Sequence, residues 1–247
     1  MSDVILEARQ VSQRFGRFQA LNDISVSFRA HELCAIIGPN GAGKSTFFNI
    51  LSGAFPPTAG SLLFDGEEVT GLAQHDYARR GIAKSFQITN VFKQLSAHEN
   101  VRVAVQMRHS RFDFLRPRAA LPGVADEADA LLERVGLAPL RSKTAADLAH
   151  GQQRALEVAM ALAAQPKLLL MDEPTAGMSP EETGVMMDLI VRLAAERTVI
   201  LVEHKMKLVM GICQRLIVLH HGEFLAEGSP DEIRGNAEVR RVYLGQG

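Results

Sequence analysis

The sequence predicts an α/β fold with a mostly parallel sheet, and three observations carry that expectation. Short apolar runs, Leu33-Cys34-Ala35-Ile36-Ile37, Leu168-Leu169-Leu170-Met171 and Thr198-Val199-Ile200-Leu201-Val202, have the length and composition of strands buried on both faces. Segments between them carry helical apolar spacing, as in Ala155, Leu156, Ala159, Met160 and Ala163. The first run also leads through a glycine-rich loop into Phe47-Phe48-Asn49-Ile50-Leu51, a strand, loop and helix in succession.

The elements follow in order. Residues 4–37 read as β structure, with residues 24–28 alternating at period two, so an antiparallel β portion precedes the loop. The helix after the loop ends near Gly53, and Pro56-Pro57 and Gly60 mark a turn. Residues 61–66 read as a strand and tight turn, 73–80 as a short helix, and 82–87 as a strand. Composition then changes. From 96 to 135 the spacing of Val101, Val105, Ala128, Leu131, Leu132 and Val135 is helical, and Arg116-Pro117-Arg118 and Pro122-Gly123 divide the stretch into at least two helices. Residues 90–155 are therefore expected to be a helical subdomain inserted into an α/β core of 1–89 and 156–247, the whole forming one domain. Beyond it come a helix ending before Pro166, the strand 168–171, a helix over 180–195 and the strand 198–202. Residues 216–219 and 223–226 flank His220-His221-Gly222 as a hairpin.

Composition narrows the function classes. The 247 residues suffice for a large core, and 47% apolar with 22% charged residues is ordinary for a globular protein. A net charge of −1 supplies no global field to recruit nucleic acid, which is not expected as a partner. The two cysteines, Cys34 and Cys213, lie in apolar surroundings and suggest a reducing compartment. No basic region followed by an apolar segment opens the chain, and no stretch approaches the ~20 apolar residues of a membrane span. A soluble cytoplasmic protein is the expectation.

The loop itself carries the first chemistry. Gly38-Pro39-Asn40-Gly41-Ala42-Gly43-Lys44-Ser45-Thr46 matches the phosphate-loop pattern, in the strand-to-helix context that the pattern requires. Its glycines permit positive φ and close approach to an anion, and successive N–H groups with a helix N-terminus beneath them form a nest for phosphate. Lys44 is expected to reach the β- and γ-phosphates of a nucleoside triphosphate and Ser45 to ligate Mg²⁺. The run 168–171 ends in Asp172-Glu173, two carboxylates where ligands of parallel sheets gather. Asp172 then suits Mg²⁺, directly or through water, and Glu173 suits the attacking water.

With these motifs in hand, the chain resembles an ATP-binding cassette (ABC) ATPase over nearly its whole length. After the phosphate loop come Ser85-Phe86-Gln87 in the place of the Q-loop, and Leu148-Ala149-His150-Gly151-Gln152-Gln153 in the place of the L-S-G-G-Q signature. Then follow Asp172-Glu173-Pro174, Ala176-Gly177-Met178-Ser179 and Glu203-His204. The resemblance implies a P-loop NTPase core of RecA-like type. It gives Gln87 a contact to Mg²⁺ and to the water near the γ-phosphate, His204 a hydrogen bond to the γ-phosphate, and Glu173 the role of general base. Phe15 resembles the aromatic that stacks on adenine; an ordinary core phenylalanine is the other reading. Ala149, His150, Gly151 and Gln152 would cap the ATP of the opposite subunit, so two chains would sandwich two ATP molecules head to tail.

Two departures stand out: Ala149 replaces the usual serine and Ser179 the usual D-loop aspartate. Backbone donors at Gly151 and Gln152 remain, so weakened rather than abolished hydrolysis is expected. His150 replaces a glycine and should be exposed near the dimer seam, without a catalytic role. Finer resemblance is to the ATP-binding subunits of branched-chain amino acid importers, through 81–87, 151–157, 175–182, 202–210 and the ending Val242-Tyr243-Leu244-Gly245. Related importers of urea or short amides share these patterns, and the ending also occurs in ATPases of lipopolysaccharide export. The resemblance implies a second ABC ATPase subunit, like or unlike, transmembrane permease subunits, indirectly a solute-binding protein, and a place on the inner face of the membrane. Asn90, Val91, Phe92 and Leu95 are either permease contacts or internal packing. A soluble cassette of DNA repair or translation would need a long coiled coil or a second cassette. A simple phosphate-loop kinase would leave 148–153 and His204 without purpose.

Overall fold

A computed structural model of the chain describes residues 3–85, 91–109 and 123–244. Gln87 and Asn90, both singled out above, lie outside these residues, as does Phe86. The first two strands, β1 (Val4–Phe15) and β2 (Phe18–Arg29), form an antiparallel hairpin that β4 (Ala59–Phe64) and β5 (Glu67–Glu68) extend into a four-stranded sheet. Period-two alternation is legible in only part of this hairpin. Register shifts interrupt β1 between Ala8 and Arg14, with Gln10 and Asp23 at positive φ, so the inward face changes residue parity along the strand.

The second sheet has six strands in the order β10-β9-β3-β8-β7-β6. Strands β3 (Leu33–Ile37), β6 (Ile82–Ser85), β7 (Leu168–Asp172), β8 (Thr198–Val202) and β9 (Arg215–His220) run parallel, and β10 (Glu223–Gly228) closes the edge as an antiparallel hairpin partner of β9. All five residues of β3, β7 and β8 are buried, because both faces are covered. Cys34, Ile36, Leu168, Leu170, Ile200 and Val202 pack with α1 (Lys44–Leu51) and the antiparallel sheet. Ala35, Ile37, Leu169, Met171, Val199 and Leu201 face the helices on the other side. Cys34 and Cys213 sit in opposite layers as free buried thiols.

The helical layer comprises α3 (Ala97–His109), α4 (Val124–Arg134) and α5 (His150–Leu162), while α2 (Gln74–Arg80) precedes β6. Val101 and Val105 of α3, Ala128, Leu131 and Leu132 of α4, and Leu156 and Ala159 of α5 share one apolar cluster with Leu169 and Met171 of the sheet. The division expected at residue 155 falls inside α5, whose buried stripe runs unbroken from Ala155 to Leu162. The helix over 180–195 appears as α6 (Pro180–Ala194). Three later helices, α7 (Met206–Ile212), α8 (Pro230–Gly235) and α9 (Ala237–Leu244), were not anticipated. For α8 a signal was present: Ser229 caps the helix and exchanges bonds with Glu232, with proline at the first position.

The segment entering the helical layer is stapled by a side chain. Asn100 is fully buried and mimics a backbone partner: its Oδ1 accepts from the Phe92 N–H (2.7 Å), and its Nδ2 donates to the carbonyls of Phe92 (3.1 Å) and Ser96 (2.9 Å). Phe92 is thereby held outward at 52% exposure, whereas Val91 and Leu95 are half-buried and Val91 packs on the core. Of the expected docking residues that are described, Phe92 alone is presented to solvent as a large apolar side chain. Asn100→Ala would leave the Phe92 N–H without its acceptor and empty a buried polar site, while the Phe92 and Ser96 carbonyls keep the backbone N–H groups of Leu95 and Asn100. The substitution is expected to cost about 1–3 kcal/mol of stability, read by urea denaturation.

Candidate active site

The carboxyl ends of β3, β8 and β7 meet at one edge of the parallel sheet, with Ile36 opposite Val202 and Val202 opposite Asp172. The phosphate loop leaves β3 at this edge, Asp172 ends β7, and Glu203 and His204 follow β8. Residues far apart in sequence thus converge because the strands that carry them are neighbours.

The glycine pattern of the loop has two distinct causes. At Gly38 a Cβ would lie 2.3 Å from the Leu219 carbonyl oxygen, and at Gly43 it would lie 2.6 Å from the Leu21 side chain and 2.9 Å from the Ala20 carbonyl oxygen. The protein's own packing therefore excludes side chains at both positions. At Gly41 (φ 78°) a Cβ would meet nothing, so only the backbone angle calls for glycine there. The loop is stitched to the β9–β10 turn, as the Gly222 N–H donates to Ala42 (3.1 Å) and the Asn22 N–H to Gly222 (2.8 Å). Helix α1 begins with no side-chain cap and no acid in its first turn. That leaves its N-terminal amides to an external anion.

Lys44 is buried, and its Nζ donates to the carbonyls of Gly38 (2.8 Å) and Pro39 (3.0 Å). Burial draws its pKa down, against the opposing pull of Glu173 and Asp172. Ser45 is exposed beside it and Thr46 half-buried. Asp172 is buried, and that burial raises its carboxyl above the ordinary value despite Lys84, with Glu173 adding to the rise and Arg154 and Lys44 opposing it. Lys84, which sequence reading missed, is tied to Asn49 Oδ1 (2.6 Å) and faces the Phe48 ring at 5.0 Å. The donors Ser45 and Asp172 are hard oxygens, the chemistry that suits Mg²⁺ bound together with phosphate oxygens.

Glu173 adopts a positive φ of 45° and stands 3.5 Å from His204 Nδ1. Phe15, at the end of β1, is 49% exposed and meets Phe55 edge to face at 5.9 Å. It is not a core phenylalanine, which disposes of that reading.

The signature segment forms the start of α5. Ala149 offers no acceptor, so only the return half of a capping box exists, the Ala149 N–H donating to Gln152 Oε1 (3.0 Å). The missing acceptor comes from another helix: the Gly151 N–H donates to Glu182 Oε1 (3.1 Å). Glu182 also accepts from the Ser179 N–H (3.0 Å), while Ser179 caps α6 by accepting from the Glu182 N–H (3.2 Å). These backbone donors hold the Glu182 carboxyl below its usual value. Gly151, expected to keep a free backbone donor, therefore has its donor engaged, because an uncapped helix start takes the nearest carboxylate. His150 is exposed as expected, its Nε2 lying 3.2 Å from the Ala176 carbonyl.

Comparison with known proteins decides the family. The chain matches the ABC transporter family over residues 21–176. It belongs to that family. A further match, to the C-terminal region described as branched-chain amino acid ATP-binding cassette transporter, covers residues 225–247. The cassette is 41% identical over the full length of both chains to the high-affinity branched-chain amino acid transport ATP-binding protein BraF of Pseudomonas aeruginosa. It is 39% identical over the full length of both to LivG of Escherichia coli. The lipopolysaccharide export ATP-binding protein LptB of Escherichia coli is more distant, at 31% over 98% of this chain and 97% of LptB. Among solved structures, the ADP conformation of the cassette MJ1267 superposes with a TM-score of 0.87 at 27% identity, covering 99% of this chain and all of that one. The dimeric cassette MJ0796 bound to ADP and Pi gives 0.76 at 26%, covering 92% and 99%. Members of this family are ATPases coupled to transport, as this cassette is. Among the described residues no helix is long and apolar enough to cross a membrane.

The raised pKa of Asp172 has a consequence for stability. A carboxyl that binds its proton more tightly when folded loses stability as pH rises through its unfolded value, ordinarily 3.8. Asp172→Asn should therefore stabilise the nucleotide-free cassette at neutral pH. The expected gain is about 2–4 °C in melting temperature, corresponding to about 1 kcal/mol in a domain of this size. Calorimetry should show the gain shrink as pH falls toward 4.

Proposed function

We propose that this cassette is the ATP-hydrolysing subunit of an importer for branched-chain amino acids or related small amides. It would act as one half of a cassette pair beneath a transmembrane permease at the inner face of the membrane. The observation that carries the chemistry is the convergence of the phosphate loop, Asp172, Glu173 and His204 at one sheet edge. Full-length similarity to the branched-chain ATP-binding proteins, together with the C-terminal match, supports the solute class.

In this reading the loop amides and the α1 N-terminus bind the phosphates, Phe15 stacks on adenine, and Lys44 turns from its two carbonyl partners toward the β- and γ-phosphates. Ser45 and Asp172, with Gln87, would hold Mg²⁺, which supplies neutralisation of phosphate charge. Glu173 accepts a proton from the attacking water; its carboxylate is half-exposed at the site and within reach of His204. His204 donates to the γ-phosphate. The signature residues Ala149, His150, Gly151 and Gln152 face the ATP of the partner cassette, and their engagement requires the Gly151 amide to leave Glu182.

Two variants test these roles. Glu173→Gln should lower ATP turnover by about 10²–10⁴-fold and leave an ATP-bound closed dimer visible on size exclusion. A monomer at every ATP concentration, with the cognate second cassette present, would sink the sandwich. Glu182→Gln removes the charge that holds Gly151. It should lower the ATP concentration for half-maximal dimerisation by about two- to fivefold, the scale of an exposed charge contact. No change, or a higher requirement, would mean that Glu182 does not compete with nucleotide. The transporter assignment itself is tested by mild-detergent purification from native membranes with mass spectrometry. Permease subunits and a solute receptor are expected; lipid-export components would move the assignment to an exporter.

A further inference from the structure

Glu203 has no part in the chemistry above, yet it is among the most enclosed charged groups of the site, its side chain fully shielded from solvent. An enclosed carboxylate is retained only with donors around it, and Glu203 has three. Oε1 accepts from Thr175 Oγ1 (2.5 Å), and Oε2 accepts from the backbone N–H groups of His204 (3.0 Å) and Lys205 (3.2 Å). Lys205 reinforces the same junction, its Nζ donating to the Thr175 carbonyl (3.0 Å) and hydroxyl (3.3 Å).

The two segments that Glu203 joins are those that carry Glu173 and His204. Thr175 is buried two residues beyond Glu173, and the Glu173 N–H donates to the Val202 carbonyl (2.8 Å) at the root of the His204 turn. Contacts therefore run in a ring: Glu173 to Thr175 along the chain, Thr175 to Glu203, Glu203 to the His204 amide, and His204 Nδ1 back to Glu173 at 3.5 Å. The His204 ring is itself 52% exposed, so packing does little to aim it. Glu173 holds a positive φ that a non-glycine residue keeps only when its surroundings impose it. An acceptor-only group serving donors from both turns supplies that constraint.

We propose that Glu203 is a positioning residue for hydrolysis: its carboxylate clamps the His204 turn to the Thr175 turn and so sets the contact between His204 and Glu173. The proposal rests on the roles given above to Glu173 and His204. Glutamine can keep the contacts, with its oxygen toward the two amides and its NH₂ toward Thr175 Oγ1, whereas alanine removes them.

The test uses the full-length chain with ATP and Mg²⁺, measuring kcat and, separately, nucleotide affinity by equilibrium binding. Glu203→Ala should lower kcat about tenfold or more while ATP affinity stays within about twofold, because Phe15 and the phosphate loop are untouched. Glu203→Gln should recover kcat to within about threefold of the parent. Thr175→Val, which cuts one arm of the clamp, should fall between them and serves if Glu203→Ala does not fold. Because Glu203 acts in large part through His204, adding Glu203→Ala to His204→Ala should lower kcat by less than Glu203→Ala does in the parent. Unchanged kcat in Glu203→Ala and Thr175→Val, parallel loss of affinity and kcat, or a full additional loss in the double variant would each overturn the proposal. A His204→Ala variant with undiminished kcat would instead overturn the underlying role of His204.

Discussion

A parallel strand covered on both faces can expose a polar side chain only at its ends. That constraint organises this molecule. Strands β3, β7 and β8 are buried along their whole length between the antiparallel sheet with α1 on one side and the helical layer on the other. Their chemistry is displaced to the carboxyl edge, where a phosphate loop, Asp172, Glu173, Glu203 and His204 emerge within reach of one another. The two apolar clusters that sandwich the sheet thus decide where the loop and the carboxylates come together, although, Ala42 of the loop apart, none of their residues belongs to the proposed site.

The site also keeps its own donors occupied. Lys44 spends its protons on two carbonyls of its own loop, and Gly151 gives its amide to Glu182 of a neighbouring helix. Both contacts follow from the cost of leaving a charged or polar group without a partner. Both must be exchanged for phosphate when nucleotide binds in the manner proposed. The two sequence departures belong to this pattern. Alanine at 149 leaves the start of α5 without a cap, and serine at 179 caps α6, which places Glu182 where it meets Gly151.

Sequence and structure agree best where chemistry and periodicity are local. The phosphate loop, the apolar strands, the helices α1, α2 and α6, and the hairpin of β9 and β10 were legible from adjacent residues, each with its own repeat or turn signal. The edge of the helical insert was less so, because α5 runs through the expected boundary and its apolar stripe serves helical layer and sheet alike. Helix α7 carries no distinct start signal, α9 has one in Asn236, whose side chain accepts from the Glu238 and Val239 amides, and β1 loses its alternation to register shifts.

The sequence by itself determined the reaction class and the family, since a glycine loop with lysine and serine, an apolar run ending in Asp-Glu, and the ordered motifs after it all depend on short-range spacing. Tertiary structure alone decided which groups serve one another. Glu182 lies 31 residues from the amide it holds, Glu203 lies 28 residues from Thr175, and Lys84 reaches Asn49 across 35. No local pattern marks such pairs, because a carboxylate or an ammonium reads as an ordinary surface charge until packing removes the water around it. The same holds for Phe15, whose exposure, and so its availability to a ligand, comes from its place at the exposed turn of the β1–β2 hairpin.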